Sequence, residues 1–72
     1  MKYKVGDKVR VRKGLKKGYD YGIYVNSLMT EYANKIVVIS KVREDYYEYL
    51  IKEDNNNNDW TDNMFEGKVN EM

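Results

Sequence analysis

The chain has no cysteine, no histidine and no proline. Without cysteine there is no disulfide framework and no thiolate metal site, a composition that fits a reducing cytoplasm. Without histidine the commonest general base, the usual zinc ligand and the Ser-His and Cys-His couples are all missing. Without proline there is no proline-rich linker. No apolar run approaches the ~20 residues that span a bilayer. Lys2 and Lys4 run straight into a strand-like segment, without the apolar stretch of a secretory leader. A cytoplasmic chain with no membrane association is therefore expected.

What remains is 72 residues, 42% hydrophobic, 35% charged and 14% aromatic. Domains usually take roughly 100–200 residues, so 1–72 reads as one domain. A chain this short buries only about 60% of the surface its unfolded form exposes. The eight tyrosines and Trp60 are expected to supply much of the core.

The net charge of +1 hides an asymmetry. Residues 1–17 carry eight cations against Asp7 alone, a net of +7. Residues 44–72 carry nine carboxylates against Lys52 and Lys68, a net of −7. The two blocks either face each other in the fold or are each presented to a partner of opposite charge.

Alternation of Val5, Val9 and Val11 with Lys8, Arg10 and Arg12 predicts a half-buried strand within residues 4–13, begun by a turn at Gly6-Asp7. Gly14, Gly18 and Gly22, interleaved with Tyr19, Tyr21 and Tyr24, predict a long ordered loop or bent hairpin arm. Residues 27–33 read as one or two helical turns. Asn26 or Ser27 caps them, Leu28 and Tyr32 share a face, and Asn34 ends them in the left-handed region. Ile36-Val37-Val38-Ile39 is β-branched throughout, so Lys35–Val42 is the clearest strand, apolar on both faces. Tyr46–Lys52 reads as another strand with Tyr47, Tyr49 and Ile51 inward. Residues 54–59 form a polar hairpin loop, and Trp60-Thr61 resumes a short strand. A one-turn helix follows at 62–65 with Gly67 as its stop, then a last strand at Lys68-Val69. The predicted core is Val9, Val11, Leu28, Val37, Ile39, Tyr47, Tyr49, Ile51, Trp60 and Phe65. About five short strands in a chain of this length suggest a small barrel, which removes exposed edges.

Three segments carry a resemblance: Tyr3–Arg12, Tyr32–Ile39 and the ending Trp60-Thr61-Asp62-Asn63-Met64-Phe65-Glu66. Together they resemble small uncharacterised SH3-like β-barrel proteins of Gram-positive phages and prophages. The likeness covers most of residues 3–66, and the ending is its most distinctive part. It implies a mostly β, SH3-like barrel and brings little function with it. The chain departs from the pattern at Asn55–Asn58, where a shorter glycine-containing loop is expected.

Two surfaces are candidates for binding. Lys8, Arg10 and Arg12 on one strand face, extended by Lys13, Lys16 and Lys17, are spaced to track a phosphate backbone, with the loop tyrosines beside them to stack bases. The competing explanation is a solvated face whose cations pair with the acidic C-terminal third. The second surface is aromatic: Tyr19, Tyr21, Tyr24, Tyr46 and Leu50 as contacts for a protein partner. A proline-peptide groove of the SH3 type fits poorly, because the loop is basic with only Asp20 and the lone Trp60 is expected in the core.

Asn55, Asn57, Asp59 and Glu66 fall at calcium-loop spacings, but the first place lacks its carboxylate and Trp60 stands where glycine is required. No metal or cofactor is expected. Catalysis is not expected either, since no carboxylate sits in an apolar context and the glycines match no phosphate-cradling motif. The sequence reading is thus a non-catalytic binding module with a protein partner. Nucleic-acid binding and self-association, basic end to acidic end, are the alternatives.

Overall fold

The computed structural model describes residues 1–69. Its framework is four short strands: β1 Lys8–Val11, β2 Ile36–Arg43, β3 Glu48–Ile51 and β4 Phe65–Lys68. They form one antiparallel sheet in the order β3-β2-β1-β4. One helix of four residues, α1 (Ser27–Thr30), and two 3-10 turns, Glu44–Tyr46 and Asp62–Met64, complete the elements. The fold is mostly β, as expected. Among the described residues no helix is long and apolar enough to cross a membrane.

The eight-residue β2 organises the sheet. Its first half pairs with β1, Val37 opposite Val9, and its second half pairs with β3, Val42 opposite Tyr49. The register shifts between Ile39 and Lys41, so the strand bends where its partner changes. The sheet nonetheless stays open, since no ladder joins β3 to β4 among the described residues.

The predicted boundaries move in several places. The first strand covers only Lys8–Val11, because Gly6, at φ 92°, turns the chain and leaves Val5 exposed. The helix stops at Thr30 and continues as turns to Asn34, which does adopt the left-handed conformation, φ 66°. The Tyr46–Lys52 strand begins only at Glu48, after the 3-10 turn. Trp60 makes a single bridge to Tyr49 rather than a strand. The second 3-10 turn ends at Met64, and Phe65 opens β4, so Gly67 lies inside that strand instead of stopping a helix.

The core holds eight of the ten predicted residues: Val9, Val11, Val37, Ile39, Tyr49, Ile51, Trp60 and Phe65. Leu28 and Tyr47 are corrections, at 64% and 75% exposed. Asn26 caps α1 by accepting from the Met29 N–H, and this setting turns Met29 inward instead of Leu28. Tyr47 is expelled by its backbone. At φ 56° and ψ 40° it is left-handed, which breaks the alternation that would have buried it. Tyr3, Leu15, Val25 and Met64 join the core unannounced. The aromatic centre is tightly built. Trp60 stacks on Phe65 at 5.8 Å, and Tyr3, Tyr49 and Tyr32 pack tilted or edge-on at 5.6–6.0 Å. Of β2's outward residues, Ile36 is exposed and Val38 half-buried, so the covering of its second face is partial.

Candidate functional site

The aromatic candidates come from two segments that the fold brings side by side. The first is the arm over residues 14–26. Gly18 and Val25 exchange backbone hydrogen bonds of 3.2 and 2.8 Å, which makes the segment a bent hairpin. Buried Leu15 and Val25 root it in the core, and the Thr61 hydroxyl donates to the Tyr21 carbonyl at 2.6 Å. Tyr21 is half-buried against the core. Tyr19 and Tyr24 are exposed, with their rings 5.1 Å apart.

The second segment is the turn between β2 and β3. Tyr46 is 63% exposed, with the Arg43 guanidinium over its ring at 4.8 Å. That guanidinium also pairs with Asp59 at 3.0 Å. Tyr47 follows in the left-handed conformation, and its ring is more exposed than that of Tyr46.

Two hollows share Ile23, the first between the arm and the turn, the second between the arm and the start of β3 with the 57–59 loop. One, about 330 Å³, is lined by Tyr21, Ile23, Tyr46, Tyr47 and Asp62, among others. The other, about 320 Å³, is lined by Ile23, Tyr24, Met29, Glu48 and Asp59, among others. The charged residues lining both are acidic. Burial, then the neighbouring Asp59, raises the Glu48 carboxyl above its ordinary range, while Arg43 acts in the opposite direction. A further hollow of about 390 Å³ is lined by one stretch of chain, Lys41–Tyr46. Tyr21 and Tyr46 thus line the hollow between arm and turn, while Tyr24, with the Tyr19 ring against it, lines the other. Leu50 lines none of these hollows; it is half-buried in β3, in register with Lys41. Sequence reasoning missed Ile23 and the outward role of Tyr47. The available signal was the Tyr46-Tyr47 doublet directly after the polar break Arg43-Glu44-Asp45.

The basic candidates separate into two groups. The Arg10 guanidinium donates to the Asn34 carbonyl at 2.9 Å, and the Arg12 Nε donates to the Asn63 carbonyl at 2.5 Å. Both arginines therefore tie β1 to neighbouring turns. Lys8 is half-buried. Lys13, Lys16 and Lys17 are exposed. The Lys13 backbone N–H donates to the Glu66 carboxylate at 3.0 Å, which is a backbone link and leaves the ammonium out.

Among the described residues, none of Arg10, Arg12, Lys13, Lys16 and Lys17 forms an ion pair. The Asp7–Lys68 pair at 3.4 Å runs the other way, an acid of the basic block against a base of the acidic block. Among the described residues, then, these five cations make no direct ion pair with the acidic block.

No protein-family model, curated protein or solved structure matches the chain.

Proposed function

We propose that this protein is a non-catalytic binding module that contacts a protein partner through the aromatic surface between the arm and the Tyr46-Tyr47 turn. The observation that carries this reading is Tyr47. A left-handed backbone costs a residue with a side chain about 1–2 kcal/mol. The usual compensation, burial of the ring, is absent here. A glycine or asparagine would serve the turn better, so the ring is kept for what it presents outward.

The architecture belongs to the same reading. We assign it to the SH3-like barrels, left open along one side. In support, β2 serves two partners across a bulge, the arm follows β1, and a 3-10 turn leads into β4 beside β1. Kinship with the small phage and prophage proteins is consistent with this element order, and a cytoplasmic setting with the lack of cysteine.

The experiment is capture of bacterial proteins on the immobilised full chain, repeated with Tyr46→Ser plus Tyr47→Gly. Proteins held by the native chain and released by the double variant support the reading. Capture that ignores both substitutions, or no capture at all, removes it.

Nucleic-acid binding is favoured by a different observation, the exposed Tyr19–Tyr24 ring pair in the same arm as the exposed Lys16 and Lys17. Anisotropy of a labelled oligothymidylate at two salt concentrations separates the two. Salt-sensitive binding lost in Lys16→Glu plus Lys17→Glu would transfer the function to the arm.

A further inference from the structure

The two hollows that share Ile23 carry charge of one sign. Asp62 lines the hollow beside the turn, and Glu48 and Asp59 line its neighbour. Among the described residues no cation lines either. The neighbour also has Ile23, Met29 and the exposed Tyr24 in its wall, so carboxylates face apolar and aromatic groups there. One cation stands beside it. Arg43 pairs with Asp59 at 3.0 Å and lies over the Tyr46 ring at 4.8 Å. The fold itself thus seats a guanidinium between a carboxylate and a tyrosine at this place. Glu48 has no such partner: among the described residues its carboxylate forms no ion pair. Burial and the neighbouring Asp59 make its negative charge costly, and Arg43 offsets only part of that cost.

We infer that the protein partner of this surface presents an arginine, whose side chain enters the hollow lined by Glu48, Asp59 and Tyr24. A guanidinium is planar, donates to carboxylates through several N–H groups and stacks on aromatic rings. Its aliphatic stem suits Ile23 and Met29. The hollow, about 320 Å³, has room for one such side chain. Glu48 and Asp59 have a single guanidinium, Arg43, between them, so a second cation completes the pairing without displacing the first. Residues next to the arginine then cross Ile23 to the hollow of Tyr21, Tyr46 and Tyr47, where Asp62 adds a further carboxylate beside a basic segment. A nucleic-acid strand laid over the same hollows would bring phosphates against three carboxylates, a mismatch of charge. The inference rests on the reading of the arm-turn surface as the binding face.

The test is fluorescence anisotropy of a labelled peptide of alternating glycine and arginine, and of its twin with neutral citrulline for arginine. Each is titrated with the full chain at low and high salt. The expected result is saturable binding of the arginine peptide that weakens as salt rises, and no binding of the citrulline peptide. Glu48→Gln should weaken the binding about fivefold or more. Tyr24→Ser, at an exposed position, should weaken it about threefold. Glu44→Gln plus Asp45→Asn removes two exposed carboxylates that line neither Ile23 hollow, and should change it less than about twofold. Circular dichroism and urea unfolding check that each variant keeps the native fold. Asp62 is left intact because it accepts from the buried Tyr49 hydroxyl. Absence of binding at high micromolar chain and low salt overturns the inference. So does binding that the citrulline peptide matches, or that falls as much in the Glu44-Asp45 variant as in Glu48→Gln. If the chain then still captures proteins through Tyr46 and Tyr47, the binding-module reading stands with a partner of other chemistry. If it captures none, both fall.

Discussion

The Trp60 indole N–H donates to the Asp54 carboxylate across 3.1 Å, and both residues are buried. The same carboxylate group accepts from the Asn58 amide at 3.1 Å and from the Asn57 backbone at 3.3 Å. Asn55 and Asn56 turn the chain around it in the left-handed conformation, φ 56° and 62°, which asparagine tolerates better than most residues. The asparagine run is therefore a wrapping for a buried carboxylate that anchors the core tryptophan. Asp54→Ala should destabilise the fold by about 1–3 kcal/mol, because the indole donor is left buried without an acceptor. Urea unfolding followed by Trp60 fluorescence measures it, and a change near zero would mean the loop reorganises to satisfy the indole in another way.

Tyr47→Gly removes the left-handed penalty and adds unfolded-state freedom, effects of opposite sign. The net expected is a gain of up to about 1 kcal/mol in thermal or urea unfolding. A clear loss of stability would show that the exposed ring packs on something, and would withdraw the argument that it is kept for binding.

The Tyr49 hydroxyl donates to Asp62 at 2.5 Å and accepts from the Tyr3 backbone at 3.0 Å. Burial, then the bond to Asp62, pushes its pKa up to about 12. The unfolded chain releases that proton near pH ~10. The folded state thus holds a proton that the unfolded state loses, so stability is full below pH ~10 and declines as pH rises toward 12. Burial shifts Tyr3 in the same direction. Tyr49→Phe should flatten the decline measured by urea titrations across this range. An unchanged slope would assign the alkaline loss to other groups.

Met29 and Leu28 should respond in the reverse of the order that the sequence suggests. Met29→Ala opens a cavity under the arm and should cost about 2–5 kcal/mol, whereas Leu28→Ser lies on the surface and should stay within about ±0.5 kcal/mol. Equal losses at the two positions would place the helix in a different rotation.

Several features were readable from local chemistry alone. The β-branched run at 36–39 became β2, and Asn26 and Asn34 act as the cap and left-handed stop their side chains suit. Trp60 and Phe65 went to the core, where large aromatic side chains bury much area per residue in so short a chain. The bent hairpin over 14–26 followed from its glycine spacing. What escaped had a common cause. Alternation tells which side a residue faces only while the backbone stays extended, and one left-handed residue at 47 was enough to turn a predicted core tyrosine outward. A four-residue helix has too little repeat to orient itself, so the cap at Asn26, and not periodicity, decided between Leu28 and Met29.

The candidate site divides in the same way. Composition and spacing nominated the arm tyrosines and Tyr46. Only tertiary packing could place the arm beside the turn, leave Leu50 aside and add Ile23 and Tyr47. The charge blocks were visible as counts, but a count does not say what each cation touches. Arg10 and Arg12 found backbone carbonyls within reach, while among the described residues Lys16 and Lys17 found no carboxylate. Sequence determined which groups this protein has to pair. Distance, set by a sheet that bends at one bulge in β2, decided which of them met.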